Sequence, residues 1–131
     1  MITHRKERSF NWSEGALAEG LRCYRNEEFF LAHEYWETIW LQLDGQEKMF
    51  LQGLIQTTAA FHHVQRKNSV GAASLMRGAL RRLDPLPPDF GGIAVDALRQ
   101  SLSAWLRALE YAEPGAPIPF PQIRISPGDR S

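Results

Sequence analysis

The segment "AHEYWETIW" carries the residues of this chain best suited to chemistry. His33 and Glu37 are four residues apart, so on a helix their side chains share a face and can touch. A helical wheel places both inside an arc of aromatic and aliphatic side chains, with Glu34 at the edge of that arc. Because a buried carboxylate is costly unless it is neutralised or paired, we expect polar partners on a neighbouring helix.

A second segment, "MFLQGLIQTTAAFHHV", supplies such partners. Gln52, Gln56 and His63 share one stripe of a helix that is otherwise apolar nearly all round. If the two helices pack antiparallel through a turn near Gly45, Glu37 lies close to both glutamines. The sequence therefore predicts an interior polar cluster between these helices. Its predicted members and close neighbours are His33, Glu34, Trp36, Glu37, Trp40, Gln52, Gln56, His63 and Asn68.

Two histidines and a carboxylate suit a divalent metal ion. On this hypothesis His33, Glu37 and His63 are the metal ligands, and Glu34 is the general base of a metal-assisted hydrolase. The segment is not the zinc-protease HExxH motif, because Glu37 stands where that motif has its second histidine. A metal-free acid–base pocket formed by His33 and Glu37 is another interpretation.

The alternative is that the cluster is purely structural, in a non-enzymatic helical interaction module. Buried polar networks commonly fix how helices pack. Helical hairpins with small residues at their crossings are similar to short tetratricopeptide-like solenoids, which bind peptides in a groove. The proline-spaced segment "PGAPIPFPQIRISPG" predicts an extended arm that covers a groove in its own chain or in a second copy, which makes a homodimer a further expectation.

Hydrophobic periodicity predicts an all-α fold, a single compact bundle of about five helices with an extended Pro-rich C-terminal arm. Ser13 is the expected N-cap of the first helix, and Asn68 or Ser69 that of the fourth. The predicted helices cover roughly residues 14–25, 27–43, 46–67, 70–83 and 94–110. The prolines of "DPLPPDFGG" predict a loop, and no strand pair is expected. The expected organisation is a flexible basic arm (1–11), a helical bundle domain (12–112) and the Pro-rich tail (113–131).

Composition bounds the function. Fifteen basic residues balance fifteen acidic ones among 131, so the chain lacks the broad positive field of nucleic-acid or anionic-membrane binders. No apolar run has the length of a signal peptide core or of a membrane span. Cys23 is the only cysteine, which excludes an intrachain disulfide and thiolate metal clusters. The expectation is a cytoplasmic protein.

Three segments in order, "FFLAHEYWETIW", "FLQGLIQTTAAFHHVQRKN" and "GAASLMRGALRRL", resemble the bacterial and archaeal family called domain of unknown function 309. The first resembles that family's HExxWExxW segment with a slight difference, and in it Trp36 directly precedes Glu37, as in that family's W-E pair. The residues that carry the resemblance are His33, Glu34, Glu37, Trp40, Gly53 to Gln56, His63, Asn68, Gly71 and Ala72, with Gly92 and Asp96 in a further short segment. The resemblance implies a compact helical bundle with the motif residues gathered inside, and it implies no activity.

Overall fold

The computed structural model describes residues 10–111 and 119–126, and these form five helices and one short β-hairpin. The helices are α1 (Gly15–Arg25), α2 (Phe29–Trp40), α3 (Gly45–Gln65), α4 (Ser69–Leu83) and α5 (Val95–Glu110), and the strands are β1 (Asp89–Phe90) and β2 (Ile93–Ala94). The predicted all-α class and the five helices are confirmed. Consecutive helices pack on each other, so α1 with α2 and α3 with α4 form two helical hairpins.

The two hairpins are closed by the same kind of turn. At the end of α1, the Glu27 N–H donates to the Tyr24 carbonyl (2.9 Å) and the Glu28 N–H to the Cys23 carbonyl (2.8 Å). This pair of bonds is the Schellman motif, which places its C′ residue in the left-handed region. Glu27 has φ +62°, and Lys67, at the matching position after α3, has φ +61°. Side-chain-bearing residues therefore occupy two positions that favour glycine.

The predicted helix starts are partly right. Asn68, one of the two predicted caps of α4, is its N-cap. The side-chain oxygen of Asn68 accepts a hydrogen bond from the Gly71 N–H (3.0 Å). Ser13 is not the N-cap of α1, which is Glu14. The backbone N–H and the hydroxyl of Ser13 both donate to the Asn11 side-chain oxygen (3.0 and 2.6 Å). The local turn at Asn11 thus takes up the serine that would otherwise cap the helix.

Helix α3 is the central element of the core, as its nearly uniform apolar pattern predicts. Phe50, Leu54 and Phe61 on this helix are fully buried. The Phe61 ring lies 5.8 Å from the Phe29 ring of α2 and 5.2 Å from the Trp105 ring of α5. The core therefore joins the first hairpin to the last helix through aromatic side chains of α3.

The loop after α4 contains a β-hairpin that was not predicted. Gly91 (φ +60°) and Gly92 (φ +81°) both lie in the left-handed region, which a two-residue type I′ turn requires. β1 and β2 pair antiparallel on either side of them. The Trp12 indole N–H donates to the Gly91 carbonyl (2.7 Å), so this turn is anchored to the segment before α1. Strands of two residues are too short to show an alternating pattern in sequence.

Part of the predicted C-terminal arm, residues 119–126, packs against the core in an extended form. Phe120 stacks on the Trp105 ring (5.6 Å, 5° between planes). The Tyr24 hydroxyl donates to the Pro121 carbonyl (2.6 Å), and burial raises the pKa of this tyrosine. Residues 119–126 therefore lie against their own chain, which is one of the two expected arrangements of the arm. The predicted residues 113–118 and 127–131 of the arm, and 1–9 of the N-terminal arm, lie outside the described residues.

None of the helices in residues 10–111 combines the length and apolar character that a bilayer span needs.

The candidate polar cluster on helices α2, α3 and α4

The two glutamates of the predicted cluster lie on the outer side of α2. Glu34 and Glu37 are exposed, and neither side chain makes a hydrogen bond or ion pair with any residue that the structure describes. The prediction that Glu37 is buried is therefore wrong. The physical reason is that the apolar arc of α2 is wider than its buried face: Phe30 and Leu41, which extend the arc on the Glu37 side, are 51% and 67% exposed.

His33 and Trp40 lie at the edge of the buried face of α2 and are half-buried. Nδ1 of His33 and Nε1 of Trp40 are both buried without a hydrogen-bond partner among the described residues. The His33 ring stacks with Phe30 (6.0 Å between centroids, 19° between planes). The Lys48 ammonium lies 4.4 Å from the centroid of the Trp40 ring, a cation–π contact between α3 and α2.

Trp36 does not belong to the polar cluster. It is fully buried, and its indole N–H donates to the Leu17 carbonyl of α1 (3.2 Å). The indole lies directly against Gly20, where an added Cβ would overlap the ring. The tryptophan of the W-E pair therefore holds α1 against α2, and its role is packing.

The two glutamines of α3 are half-buried, but Gln56 turns towards α4 instead of α2. A Cβ added at Gly78 of α4 would lie 2.7 Å from Gln56 Nε2, so the amide occupies the space that a side chain at Gly78 would take. Gln56 Oε1 is buried and has no hydrogen-bond partner among the described residues. The predicted network from Glu37 to Gln52 and Gln56 is not formed.

His63 and Asn68 form a contact of their own at the α3–α4 turn. The Asn68 side-chain oxygen accepts from Gly71, so the Asn68 amide nitrogen is left to donate to His63 Nδ1 (2.9 Å). His63 Nδ1 is then the acceptor of this bond. His63, Asn68 and Gly71, which carry part of the family resemblance, thus join the last turn of α3 to the first turn of α4.

His62 was not among the predicted members of the cluster. Its ring lies 5.5 Å from Phe30 and 6.0 Å from His63. Burial lowers the pKa of His62, and the nearby charges of Arg66, His63 and His33 lower it further. The antiparallel packing of α2 and α3 that brings Phe29 to Phe61 also brings Phe30 to His62. The register of these two helices is therefore the feature from which the position of His62 could have been predicted.

The predicted metal ligands do not come together. Among residues 10–111 and 119–126, no group of three or more histidine, cysteine, aspartate or glutamate side chains could hold a metal ion. Glu37 faces solvent, and Nδ1 of His63 is engaged by Asn68. The set of His33, Glu37 and His63, with Glu34 as base, is therefore not assembled.

Arg82 of α4 is a partly buried polar residue that was not among the predicted members of the cluster. Its Nε is buried without a hydrogen-bond partner in the described part of the chain. A Cβ added at Gly53 would lie 3.4 Å from Arg82 Cβ, which places the arginine beside the small residue of the GLIQ segment. The sequence of α4 does not show which of its arginines is covered by another helix. Only the packing in the folded protein distinguishes the half-buried Arg82 from its exposed neighbours Arg77 and Arg81.

These features define an all-α protein of two helical hairpins and a fifth helix, with a partly buried polar surface on α3. Residues 17–75 match the family described as "Domain of unknown function (DUF309)". The match agrees with the resemblance that the three segments carry, and the matched residues include α2, α3, most of α1 and the first half of α4.

A curated relative is also similar to this chain. It is an uncharacterized protein of Aquifex aeolicus (strain VF5), 28% identical over 99 residues, which are 75% of this chain. The match covers 30% of that protein, so this chain spans about a third of the length of its relative.

Proposed function

We propose that this domain is a non-enzymatic interaction module that docks an amphipathic, basic protein segment on the outer face of α2. The single observation that carries the proposal is the exposure of large apolar side chains there. Phe30, Leu31, Tyr35 and Leu41 are 51%, 46%, 37% and 67% exposed. With Glu34 and Glu37 between them, these residues form what we call the α2 outer face. Adjacent exposed apolar residues on one helix commonly mark a binding surface.

The spacing on this face suits a second helix. Phe30, Glu34, Glu37 and Leu41 follow one another at intervals of four, three and four residues, so they form one line along α2. Phe30 and Leu41 place an apolar side chain at each end of this line and the two glutamates lie between them, an arrangement that an amphipathic helix with apolar and charged residues on one side can match.

The charge on this face indicates the partner. α2 has no lysine or arginine, and Glu34 and Glu37 have no partner among the described residues. A partner with lysine or arginine beside its apolar residues would pair with these carboxylates, whereas an acidic partner would be repelled. We therefore commit to a basic amphipathic segment as the occupant.

The Aquifex relative supports a docking role within a larger protein. The matched part is 30% of that chain, so in the relative this segment is joined to further polypeptide. The alternative of a metal-assisted hydrolase has no comparable support, since His33, Glu37 and His63 form no metal-binding group among the described residues.

The test uses two designed helical peptides with the same leucine face, one with lysine and one with glutamate at the polar positions. Binding to the full chain is measured by fluorescence anisotropy at about 0.15 M salt, where charges are screened beyond about 8 Å. We expect the lysine peptide to bind and the glutamate peptide not to. The double variant Glu34→Gln/Glu37→Gln should bind the lysine peptide more weakly than the wild type. Leu41→Ser should weaken binding of that peptide about tenfold, a loss typical of an apolar anchor.

Val70 provides the matched control. It is 82% exposed but lies on α4, away from the α2 outer face, so Val70→Ser should leave binding unchanged. Equal binding of the two peptides, binding of neither, or equal losses at Leu41 and Val70 would each overturn the proposal.

A further inference from the structure

Residues 119–126 of the C-terminal arm are held by the rest of the chain in the way that a protein holds an extended peptide. Side chains of α1 and α5 donate to every second backbone carbonyl of this segment: Trp105 to Pro119 (3.0 Å), Tyr24 to Pro121 (2.6 Å) and Arg25 to Ile123 (3.3 Å). Because these hydrogen bonds go to backbone oxygens, they fix the path of an extended segment and do not select its residue types.

Two side chains of the arm make the contacts that do select residue types. The Phe120 ring lies 5.1 Å from Phe29 and 5.1 Å from Phe61, both in edge-on geometry, and it stacks on Trp105. Ile123 is fully buried. A segment that fits in the same way therefore needs an aromatic residue between two prolines and a branched apolar residue three positions later.

The side chains that hold the arm form what we call the arm groove: Tyr24, Arg25, Phe29, Phe61 and Trp105. All of them except Trp105 lie within residues 17–75, which match the DUF309 family, whereas the arm lies outside that match. The arm leaves space at one end of its groove. A cavity of about 680 Å³ lies between the end of α1 and the arm, and it is lined by Tyr24, Arg25, Glu27 and residues 119–124. The groove therefore has room for a larger occupant than the arm.

We propose that the arm groove binds a segment of another protein in which an aromatic residue lies between two prolines, and that residues 119–126 are its intramolecular competitor. Aromatic grooves commonly bind proline-rich segments, because proline restricts the backbone before binding and so reduces the entropy that binding costs. A tethered competitor acts at a high effective concentration, so the partner binds tightly only when the arm leaves the groove. The groove uses no residue of the α2 outer face, so this site does not depend on the proposed function.

Fluorescence anisotropy with a labelled peptide of residues 119–126, PFPQIRIS, tests the site on the full chain. Phe120→Ala and Ile123→Ala each remove a selective contact of the arm and leave the groove intact. Each variant chain should therefore bind the wild-type peptide at least about tenfold more tightly than the wild-type chain does, since its own arm competes less well. Circular dichroism shows whether each variant is folded.

Two matched comparisons locate the binding in the groove. In the peptide, Phe120→Ser should abolish binding to the Phe120→Ala chain, whereas Gln122→Ala changes an exposed position and should leave binding unchanged. In the chain, Tyr24→Phe added to Phe120→Ala removes one donor to the peptide backbone. This change should weaken binding about fivefold, as expected for the loss of one hydrogen bond.

Four results would overturn the proposal. Equal affinity of the wild-type chain and the two arm variants, or no binding to any of them, would do so, as would equal losses from the two peptide changes. Failure of both arm variants to fold would show that the arm is an inseparable part of the core. A dimer of the wild-type chain that the free peptide dissociates would identify the arm of a second copy as the occupant, instead of another protein.

Discussion

The two helical hairpins of this protein have the same turn but different seams. Both turns are Schellman motifs with a left-handed non-glycine residue, Glu27 in one and Lys67 in the other. The α1–α2 seam is closed by a rigid, fully buried tryptophan whose N–H is satisfied. The α3–α4 seam is closed at Gly78 by a glutamine amide whose oxygen has no partner among the described residues. The comparison teaches that one backbone arrangement can hold either a dry packing seam or a polar one.

The largest expected effect is at the dry seam. A Cβ at Gly20 would overlap the Trp36 indole, which is buried and cannot move aside. Gly20→Ala should therefore lower the free energy of unfolding by about 2–3 kcal/mol, the usual cost of overpacking. Chemical denaturation with urea measures the change.

Gly78→Ala is the matched control on the polar seam. The added Cβ meets only the end of the flexible, half-buried Gln56 side chain, and alanine favours helix by about 1 kcal/mol over glycine. We expect stability between the wild-type value and a gain of about 1 kcal/mol. Equal losses at the two glycines would contradict the difference between the seams.

The next effect concerns the starts of α2 and α4. Asn68 caps α4 through its side chain, whereas Glu28 at the start of α2 makes no side-chain cap hydrogen bond. Asn68→Ala should cost about 1 kcal/mol of unfolding free energy, and Glu28→Ala should cost much less. Thermal unfolding of the two variants side by side checks this, and a larger loss at Glu28 would refute the assignment of the cap.

A smaller, stabilising effect is expected from substitutions of the left-handed residue in each of the two turns. Glycine adopts the left-handed conformation without the steric cost that glutamate or lysine pays. Glu27→Gly and Lys67→Gly should each stabilise the protein by about 0.5–1 kcal/mol. Similar increases in the urea midpoint of the two variants would support the equivalence of the two turns. A lower midpoint in either variant would show that the native Glu27 or Lys67 side chain makes a contact that stabilises the protein by more than the left-handed conformation costs.

The smallest expected effect is the pH dependence due to His62. The folded state lowers the pKa of His62, chiefly through burial, so the unfolded chain takes up this proton first as the pH falls. The contribution of neutral His62 is fully present above the unfolded pKa of about 6.5 and declines as the pH falls through and below that value. His62→Gln should therefore reduce the loss of unfolding free energy between pH 7 and pH 5. An unchanged loss would exclude His62 as its source.

Much of the fold could be predicted because its determinants are local. On α4, for example, apolar residues at helical spacing are fully buried: Ala72, Met76, Ala79 and Leu83. Asn68 could be identified as a cap because capping depends on a side chain and backbone groups within one turn. Ser13 failed as a cap because Asn11, two residues earlier, competes for its donors.

The candidate site could be predicted only in part. His33, Trp40 and Gln56 do carry buried polar atoms, as their place among apolar residues suggested. The position of Glu37 could not be predicted, since α2 is apolar around most of its circumference and periodicity cannot tell which part of that surface is covered. Arg82 could not be found either, because its burial depends on the close approach of α4 to Gly53.

The sequence by itself determined the five helices, the start of α4 at Asn68 or Ser69 and the resemblance to the family, since each depends on residue types at short, fixed spacings. The tertiary structure alone decided which side of α2 is buried and which seam is polar. The reason is physical: burial of a side chain depends on the neighbouring helix that covers it, and the position of that helix follows from packing across the whole core.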